Sequence, residues 1–232
     1  MIENKNILII GGSSGIGLAL AEMLSPQNSV YVASRSHESL SHLDVKHLPF
    51  DATTDELDLS VLPENLDGFV YCPGSINLRP FRGLKTEAFT SDFEINVIGA
   101  VKALKSVLNL LNASPNAAVV FYSTVAVQTG MPFHSSVAAS KGAIEGLTRS
   151  LAAEFAPNIR VNCVAPSLTK SKIAEPMLKN TTIAEGIAKA HPLKRLGEGK
   201  DSASLAKFLI TEDSSWVTGQ IIAVDGGRSK LS

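Results

Sequence analysis

The sequence predicts a single α/β domain in which a doubly wound parallel sheet carries helices on both faces. Short runs of β-branched residues alternate along the chain with longer Ala- and Leu-rich amphipathic stretches, and a glycine cluster follows the first run. Such alternation is typical of right-handed βαβ units, whose sheet is buried on both sides. A chain of 232 residues fits one domain of this kind.

The elements are expected in alternating order along the chain. Strands are predicted at Ile7–Ile10, Val30–Ala33, Phe69–Cys72, Ala118–Tyr122, Arg160–Ala165 and Ile221–Val224. Helices are predicted at Ile16–Leu24, Thr90–Leu111, Ser136–Phe155 and Asp201–Leu209. The remaining long stretch, residues 167–196, has mixed helix signals and two prolines. A segment of that length in a compact domain is usually functional, so we predict a substrate lid, with a surface insertion as the alternative.

Composition narrows the possible partners. The chain is 44% hydrophobic and has a formal net charge of −1, which argues against a nucleic-acid-binding surface. Two cysteines, Cys72 and Cys163, provide no disulfide framework and suit a reducing compartment. No apolar run approaches the roughly 18 residues of a membrane span, and charged and polar residues interrupt the N-terminal run. We expect a cytoplasmic protein with a small-molecule substrate and without a metal site.

The glycine cluster predicts a phosphate-binding loop. It follows the first strand and opens the first helix, where free N–H groups and the positive end of the helix dipole favour an anion. Glycine allows the tight turn and the close approach of a pyrophosphate, and serine hydroxyls add contacts. The residues expected to contribute are Gly11, Ser13, Ser14, Gly15, Ile16 and Gly17.

Three segments together resemble the short-chain dehydrogenase/reductase family. The glycine spacing G-x-x-x-G-x-G differs from the G-x-G-x-x-G of other dinucleotide folds. Residues 137–143 resemble the family's catalytic segment, and residues 192–197 and 218–227 match its C-terminal half. The resemblance runs from about residue 5 to residue 228. It implies a Rossmann-type fold that binds a nicotinamide cofactor in the crevice at the carboxyl ends of the strands.

The end of the second strand bears on which cofactor is bound. Family members that prefer NAD carry an acidic residue at the position of Ser34, where it accepts hydrogen bonds from the adenosine ribose. Here no carboxylate is present, and Arg35 offers a guanidinium to a 2′-phosphate, with hydroxyls from Ser34 and Ser36. The sequence therefore predicts NADP(H), and a solvated loop arginine is the alternative.

The resemblance implies further cofactor contacts. Asp51, with Ala52, resembles the acidic residue that meets the adenine edge, although a surface turn is a fair rival. Cys72, Pro73 and Gly74 stand where the family has Asn, Ala and Gly; Cys72 is read as a small buried hydrophobe in preference to a reactive thiol. The segment expected to cover the nicotinamide contains Pro166, Ser167, Leu168 and Thr169, and Ser167 replaces the usual glycine.

The catalytic positions are only partly filled. The resemblance places Asn96 in a water-linked proton path, Thr124 on the substrate oxygen in place of serine, and Lys141 on the nicotinamide ribose. The resemblance implies that Asn96 and Lys141 also contact the cofactor. The tyrosine that protonates the substrate oxygen in this family corresponds to Val137, which carries no proton to give.

Another group must then donate the proton if the protein turns over. His134 lies seven residues before Lys141, which is the spacing of the active tyrosine in the family's enoyl reductase branch. Imidazole titrates near neutral pH and suits acid catalysis. An exposed loop histidine without a role is the alternative, and Ser135, Ser136 or a water held by Lys141 are further possible donors.

Two functions from different classes remain open. The first is an NADP(H)-dependent oxidoreductase that transfers hydride between the nicotinamide and a small carbonyl or conjugated alkene. The second is a catalytically degenerate NADP(H)-binding protein that acts as a sensor or a silent subunit. The resemblance also implies a homodimer or homotetramer, since helices 90–111 and 136–155 resemble those that the family pairs across a dimer axis; plain packing onto the sheet fits their composition too.

Overall fold

The computed structural model describes residues 4–231. Within that range one parallel sheet has seven strands in the order β3-β2-β1-β4-β5-β6-β7. The strands are β1 Asn6–Ile10, β2 Ser29–Ser34, β3 Val45–Pro49, β4 Gly68–Tyr71, β5 Ala117–Tyr122, β6 Ile159–Pro166 and β7 Ile221–Val224. The order reverses between β1 and β4, so the predicted doubly wound sheet is confirmed.

Helices cover both faces of the sheet. They are α1 Gly15–Leu24, α2 Thr86–Phe93, α3 Gly99–Asn112, α4 Ala126–Thr129, α5 Ser135–Phe155, α6 Glu175–Leu178, α7 Thr181–Ala190 and α8 Gly199–Leu209. Alternate residues of β1 pack into the hydrophobic cores on opposite faces of the sheet. Leu8 and Ile10 pack on the face that α3 and α5 cover. Ile7 and Ile9 pack on the face that α1 and α8 cover. All four side chains are almost fully buried, as a central parallel strand requires.

The short helix α4 was not predicted, and two further elements differ from the prediction. Strand β3 was not predicted, because it lies at the sheet edge, has a single buried residue, Leu48, among half-buried and exposed ones, and ends at Pro49. The helix predicted at 90–111 begins at Thr86 and is interrupted by one wide turn, Glu94–Ile98, with π-type hydrogen bonding. Wide turns of this kind are frequent at functional sites, and this one carries Asn96.

The segment predicted as a lid is helical in part. Residues 167–196 contain a single turn, Lys172–Ala174, followed by α6 and α7. Side chains from this segment line a cavity at the carboxyl ends of the strands, so its position suits a cover; its role as a lid stays a prediction. None of the helices within residues 4–231 has the length and apolar character that crossing a bilayer requires.

Candidate cofactor and active site

A cavity of about 450 Å³ opens where the central strands end. Parallel strands present their carboxyl ends at one edge of the sheet, so residues far apart in sequence meet there. The cavity brings together many of the predicted site residues: Ile16, Cys72, Gly74, Thr124, His134, Lys141, Pro166, Ser167, Leu168 and Thr169. Val137 lines the same cavity.

The other predicted contacts lie beside this cavity. Gly11, Ser13, Ser14, Gly15 and Gly17 form the loop between β1 and the start of α1, against which Pro73 packs. Ser34, Arg35, Ser36, Asp51 and Ala52 lie at or just after the ends of β2 and β3. This arrangement follows the edge of the sheet outward from the centre, as an elongated dinucleotide site would.

The start of α1 has the features of an anion site. No side chain caps its first turn, so the N–H groups there are left to a ligand or to water. The loop also passes very close to the helix, since a Cβ at Gly17 would collide with the carbonyl oxygen of Gly11. A side chain at Gly17 would therefore push the helix away from the strand and destroy the cradle.

The end of β2 leaves Arg35 available to an anion. The Arg35 side chain is 81% exposed, and its Nη1 lies 3.9 Å from Asp51 Oδ2, which is a loose ion pair. Asp51 Oδ1 accepts hydrogen bonds from the backbone N–H and the hydroxyl of Thr53, and these bonds lower the pKa of Asp51. Ser34 is buried, and its hydroxyl donates to the Ser36 carbonyl oxygen, so its hydroxyl is already engaged.

Polar atoms converge beside Gly74. Lys141 Nζ donates to the Tyr122 carbonyl oxygen at 2.8 Å, which uses one of its three protons. Asn96 Nδ2 donates to Ser75 Oγ and Ser140 Oγ, while Asn96 Oδ1 is buried without a partner. A Cβ at Gly74 would lie 3.2 Å from Asn96 Oδ1 and 3.3 Å from Lys141 Nζ. An unsatisfied acceptor and spare ammonium protons at one place fit a hydroxyl-bearing ligand such as the cofactor ribose.

Lys141 is an ammonium group without a counter-ion. Its side chain is only 8% exposed, and no carboxylate within residues 4–231 lies within 4.0 Å of it. Burial lowers the pKa of Lys141 from 10.5 to about 8, and the nearby Cys163, Cys72 and the Asp92 carboxylate oppose the shift. The group is therefore charged at neutral pH but close enough to titration to exchange a proton.

The catalytic tyrosine position is apolar in the structure as well as in the sequence. Val137 lies one helical turn before Lys141 on α5, lines the cavity and is 6% exposed. Thr124 contributes a half-buried hydroxyl to the same cavity, and its Oγ1 accepts a hydrogen bond from the Ala126 N–H. The hydroxyl proton of Thr124 thus remains available to a ligand oxygen.

His134 immediately precedes α5, and its side chain lines the cavity. Its Nδ1 lies 2.7 Å from the Pro132 carbonyl oxygen. A carbonyl only accepts, so Nδ1 carries the proton of this bond, and the ring can donate to a ligand only when Nε2 is protonated as well. The side chain is half-buried and lines the same cavity as Val137, and its role as the proton donor stays a prediction.

Two polar groups of the site have no signal in the sequence. His191 is 2% exposed; its Nδ1 donates to the Ile187 carbonyl oxygen, and its Nε2 accepts from Ser167 Oγ, each at 2.8 Å. Asp92 is fully buried and accepts hydrogen bonds from Ser75 and Asn77, and Ser75 in turn accepts one from Asn96. The side chains that these hydrogen bonds join are 15 to 24 residues apart in the sequence, so only the tertiary fold brings them together. The bond from His191 to Ile187 is the exception, because it is local.

Cys72 is half-buried and lines the cavity, so it is less enclosed than the small buried hydrophobe that the sequence favoured. Burial raises the pKa of its thiol to about 12, and the charge of Lys141 lowers it only in part. A thiol that keeps its proton at neutral pH is a poor nucleophile.

Comparison with known proteins identifies the family. A family model described as enoyl-(acyl carrier protein) reductase matches residues 11–229. A tropinone reductase homolog from Arabidopsis thaliana is 32% identical, over 97% of this chain and 92% of that protein. The chain belongs to the short-chain dehydrogenase/reductase family.

Solved structures agree with this assignment. ElxO with NADP bound is 27% identical to this short-chain dehydrogenase/reductase, with a TM-score of 0.87 over 97% of this chain and 98% of the other. Levodione reductase has a TM-score of 0.91 at 24% identity over the whole of both chains, which supports the fold. The names of the relatives support an oxidoreductase, and the family binds a nicotinamide cofactor.

The buried charge of Lys141 predicts a pH-dependent stability. Below about pH 8 both the folded and the unfolded chain carry the proton, so the desolvation penalty is constant; between pH 8 and 10.5 the folded chain releases it first. The free energy of unfolding of the wild type should therefore rise relative to Lys141→Met by about 3 kcal/mol across that interval. Urea unfolding at a series of pH values measures the difference.

The matched control is Lys105→Met, which removes an exposed ammonium group from α3. Its free energy of unfolding should follow the wild type at every pH. Parallel curves for Lys141→Met and the wild type would show that Lys141 is not desolvated in the folded protein.

Proposed function

We propose that the protein is an NADP(H)-dependent oxidoreductase that transfers hydride between the nicotinamide and a small carbonyl or conjugated alkene. The observation that carries this proposal is the convergence of Lys141 Nζ and the unpartnered Asn96 Oδ1 beside Gly74, at the edge of a cavity next to the glycine loop. A buried ammonium without a counter-ion is costly, and binding a ligand hydroxyl would give it a function.

The preference for NADP(H) rests on the end of β2. Arg35 is exposed there, and its loose contact with Asp51 leaves most of its N–H donors available to a phosphate. ElxO, a structural relative, binds NADP. When bound, the cofactor supplies or accepts the hydride; the residues of this chain would hold it, orient the substrate and move the proton.

Each side chain of the site has a role in this proposal. Lys141 would donate hydrogen bonds to the ribose hydroxyls, and Asn96 Oδ1 would accept one from a hydroxyl or a water in the same place. Thr124 would donate to the substrate oxygen. His134, protonated on both ring nitrogens, or a water held by Lys141, would deliver the proton that the substrate oxygen requires after reduction.

The apolar Val137 favours a second candidate function. Loss of a general acid typically lowers a rate by about 10²–10⁴. With Val137 buried at that position, a binding protein without turnover is the alternative, acting as a sensor or a silent subunit. Both functions require the same cofactor site, so they differ only in proton transfer.

The proposal includes self-association as a homodimer or homotetramer. Helices α3 and α5, which correspond to the helices predicted at 90–111 and 136–155, both pack on one face of the sheet and expose their outer sides. In cellular terms we propose a cytoplasmic protein with a small-molecule substrate, without nucleic acid or membrane partners.

The cofactor preference is tested by charge substitution at Arg35. Arg35→Asp should weaken NADPH binding at least tenfold, because it replaces the donor to the 2′-phosphate with a repelling carboxylate, and it should leave NADH binding equal or tighter. Nicotinamide fluorescence titration gives both dissociation constants. Arg79→Asp, a charge change away from this site, is the control; equal weakening of NADPH and NADH by Arg35→Asp would contradict the assignment.

Turnover is tested with NADPH and a panel of aldehydes, ketones, quinones and enones. The wild type should consume NADPH with at least one class, and His134→Ala should lower kcat by about 10²-fold or more if the imidazole donates the proton. Val137→Tyr should raise carbonyl reduction, because it restores the missing acid one turn from Lys141. If neither the wild type nor Val137→Tyr turns over any substrate, while both bind NADPH normally, the non-catalytic alternative is favoured.

A further inference from the structure

The cavity that holds the candidate site has an unusual charge composition. Among the described residues that line it, the side chains charged at neutral pH are Lys141 and Arg228, and no carboxylate is present. Much of the remaining wall is apolar: Ile76, Leu78, Met131, Phe133, Ile173, Met177 and Ile187. A ligand that fits this wall is largely apolar, and the positive charge calls for an anionic group on it.

Arg228 carries the second positive charge of this cavity, apart from Lys141. It follows β7, whereas Lys141 lies on α5 beside Gly74. Arg228 Nη1 donates to the carbonyl oxygen of Ala190, the last residue of α7, at 2.9 Å. A guanidinium has five N–H donors, so this bond anchors the group and leaves four donors for other partners.

No carboxylate neutralises Arg228 within residues 4–231. The nearest acidic residue in sequence is Asp225. Its carboxylate accepts hydrogen bonds from the backbone N–H groups of Gly227 and Ser229, at 2.9 and 2.7 Å, and so stabilises the turn that contains them. Arg195 shows the contrast, because two hydrogen bonds of 2.6 and 2.9 Å pair it with Asp201. Anchoring α7 through one carbonyl does not require a cation at the cavity wall.

We propose that the substrate is an apolar molecule with a carboxylate, which Arg228 binds while the reducible group lies near Thr124 and Lys141. This proposal rests on the proposed oxidoreductase function and makes Arg228 a specificity-determining residue. The planar fork of a guanidinium matches the two oxygens of a carboxylate and is held in place here by Ala190. A phosphate of the cofactor offers similar oxygens, so the experiment has an arm for each source.

The first arm compares oxo acids with their uncharged esters. Its probes are 5-oxohexanoate, 7-oxooctanoate and 9-oxodecanoate, each with its methyl ester and with saturating NADPH. For at least one pair the wild type should show kcat/KM at least about tenfold higher for the acid, as expected for one charge-assisted hydrogen-bonded contact. Arg228→Gln should lose that preference and keep its activity on the ester, and Arg228→Lys should retain part of it.

The control is Lys230→Gln, which removes an exposed charge from the same tail and should keep the wild-type preference for the acid. A second arm measures NADPH binding to Arg228→Gln, which should equal that of the wild type. Weakened NADPH binding with an unchanged acid-to-ester ratio would assign Arg228 to a cofactor phosphate and overturn the inference.

A third arm separates this inference from the proposed function. Binding of octanoate to the NADPH-loaded protein is measured by isothermal titration calorimetry, which needs no turnover. Binding by the wild type that Arg228→Gln weakens at least tenfold supports the inference even if no oxo acid is reduced. No octanoate binding, or equal turnover of acids and esters, overturns the inference, while turnover of the esters alone would leave the oxidoreductase function standing.

Discussion

The buried ammonium of Lys141 is the constraint around which the site is arranged. A charge removed from water must find hydrogen-bond partners, and this one finds the carbonyl oxygen at the end of β5. That bond ties α5 to the sheet edge, and Val137, one turn earlier on α5, lines the cavity. Lys141 Nζ lies next to Gly74, where a Cβ would make tight contacts with Nζ and with Asn96 Oδ1. Thr124, after β5, lines the same cavity, and the glycine loop and the wide turn that carries Asn96 lie beside it.

The fold could be predicted because its central strands are buried on both faces. Continuous apolar runs such as that of β1 predict buried strands directly, and the helices between them show a clear helical period of apolar residues. Strand β3 could not be predicted in this way, since an edge strand with a half-exposed pattern and a terminal proline resembles a loop. The wide turn at Glu94–Ile98 was missed for a different reason: it keeps the helical pattern of side chains and changes only the backbone hydrogen bonds.

The site was predicted where motifs are local and missed where they are not. The glycine loop and the position of Lys141 depend on short spacings, so the sequence contains them. The hydrogen bonds from Ser167 to His191 and from Ser75 to Asp92 join separate elements, and no sequence spacing predicts them. Arg228 belongs to this second class, because its importance lies in the carboxylates that its surroundings lack. Specificity is thus harder to predict than cofactor binding, since it depends on the shape and charge of one cavity.

The account depends on a nicotinamide cofactor lying along the sheet edge with its ribose at Lys141. A crystal structure of the protein with NADPH tests this most directly. We predict electron density for the ribose hydroxyls within hydrogen-bond distance of Lys141 Nζ, and a 2′-phosphate beside Arg35. Cofactor bound elsewhere, or a nicotinamide half that does not reach Lys141, would contradict the central claim.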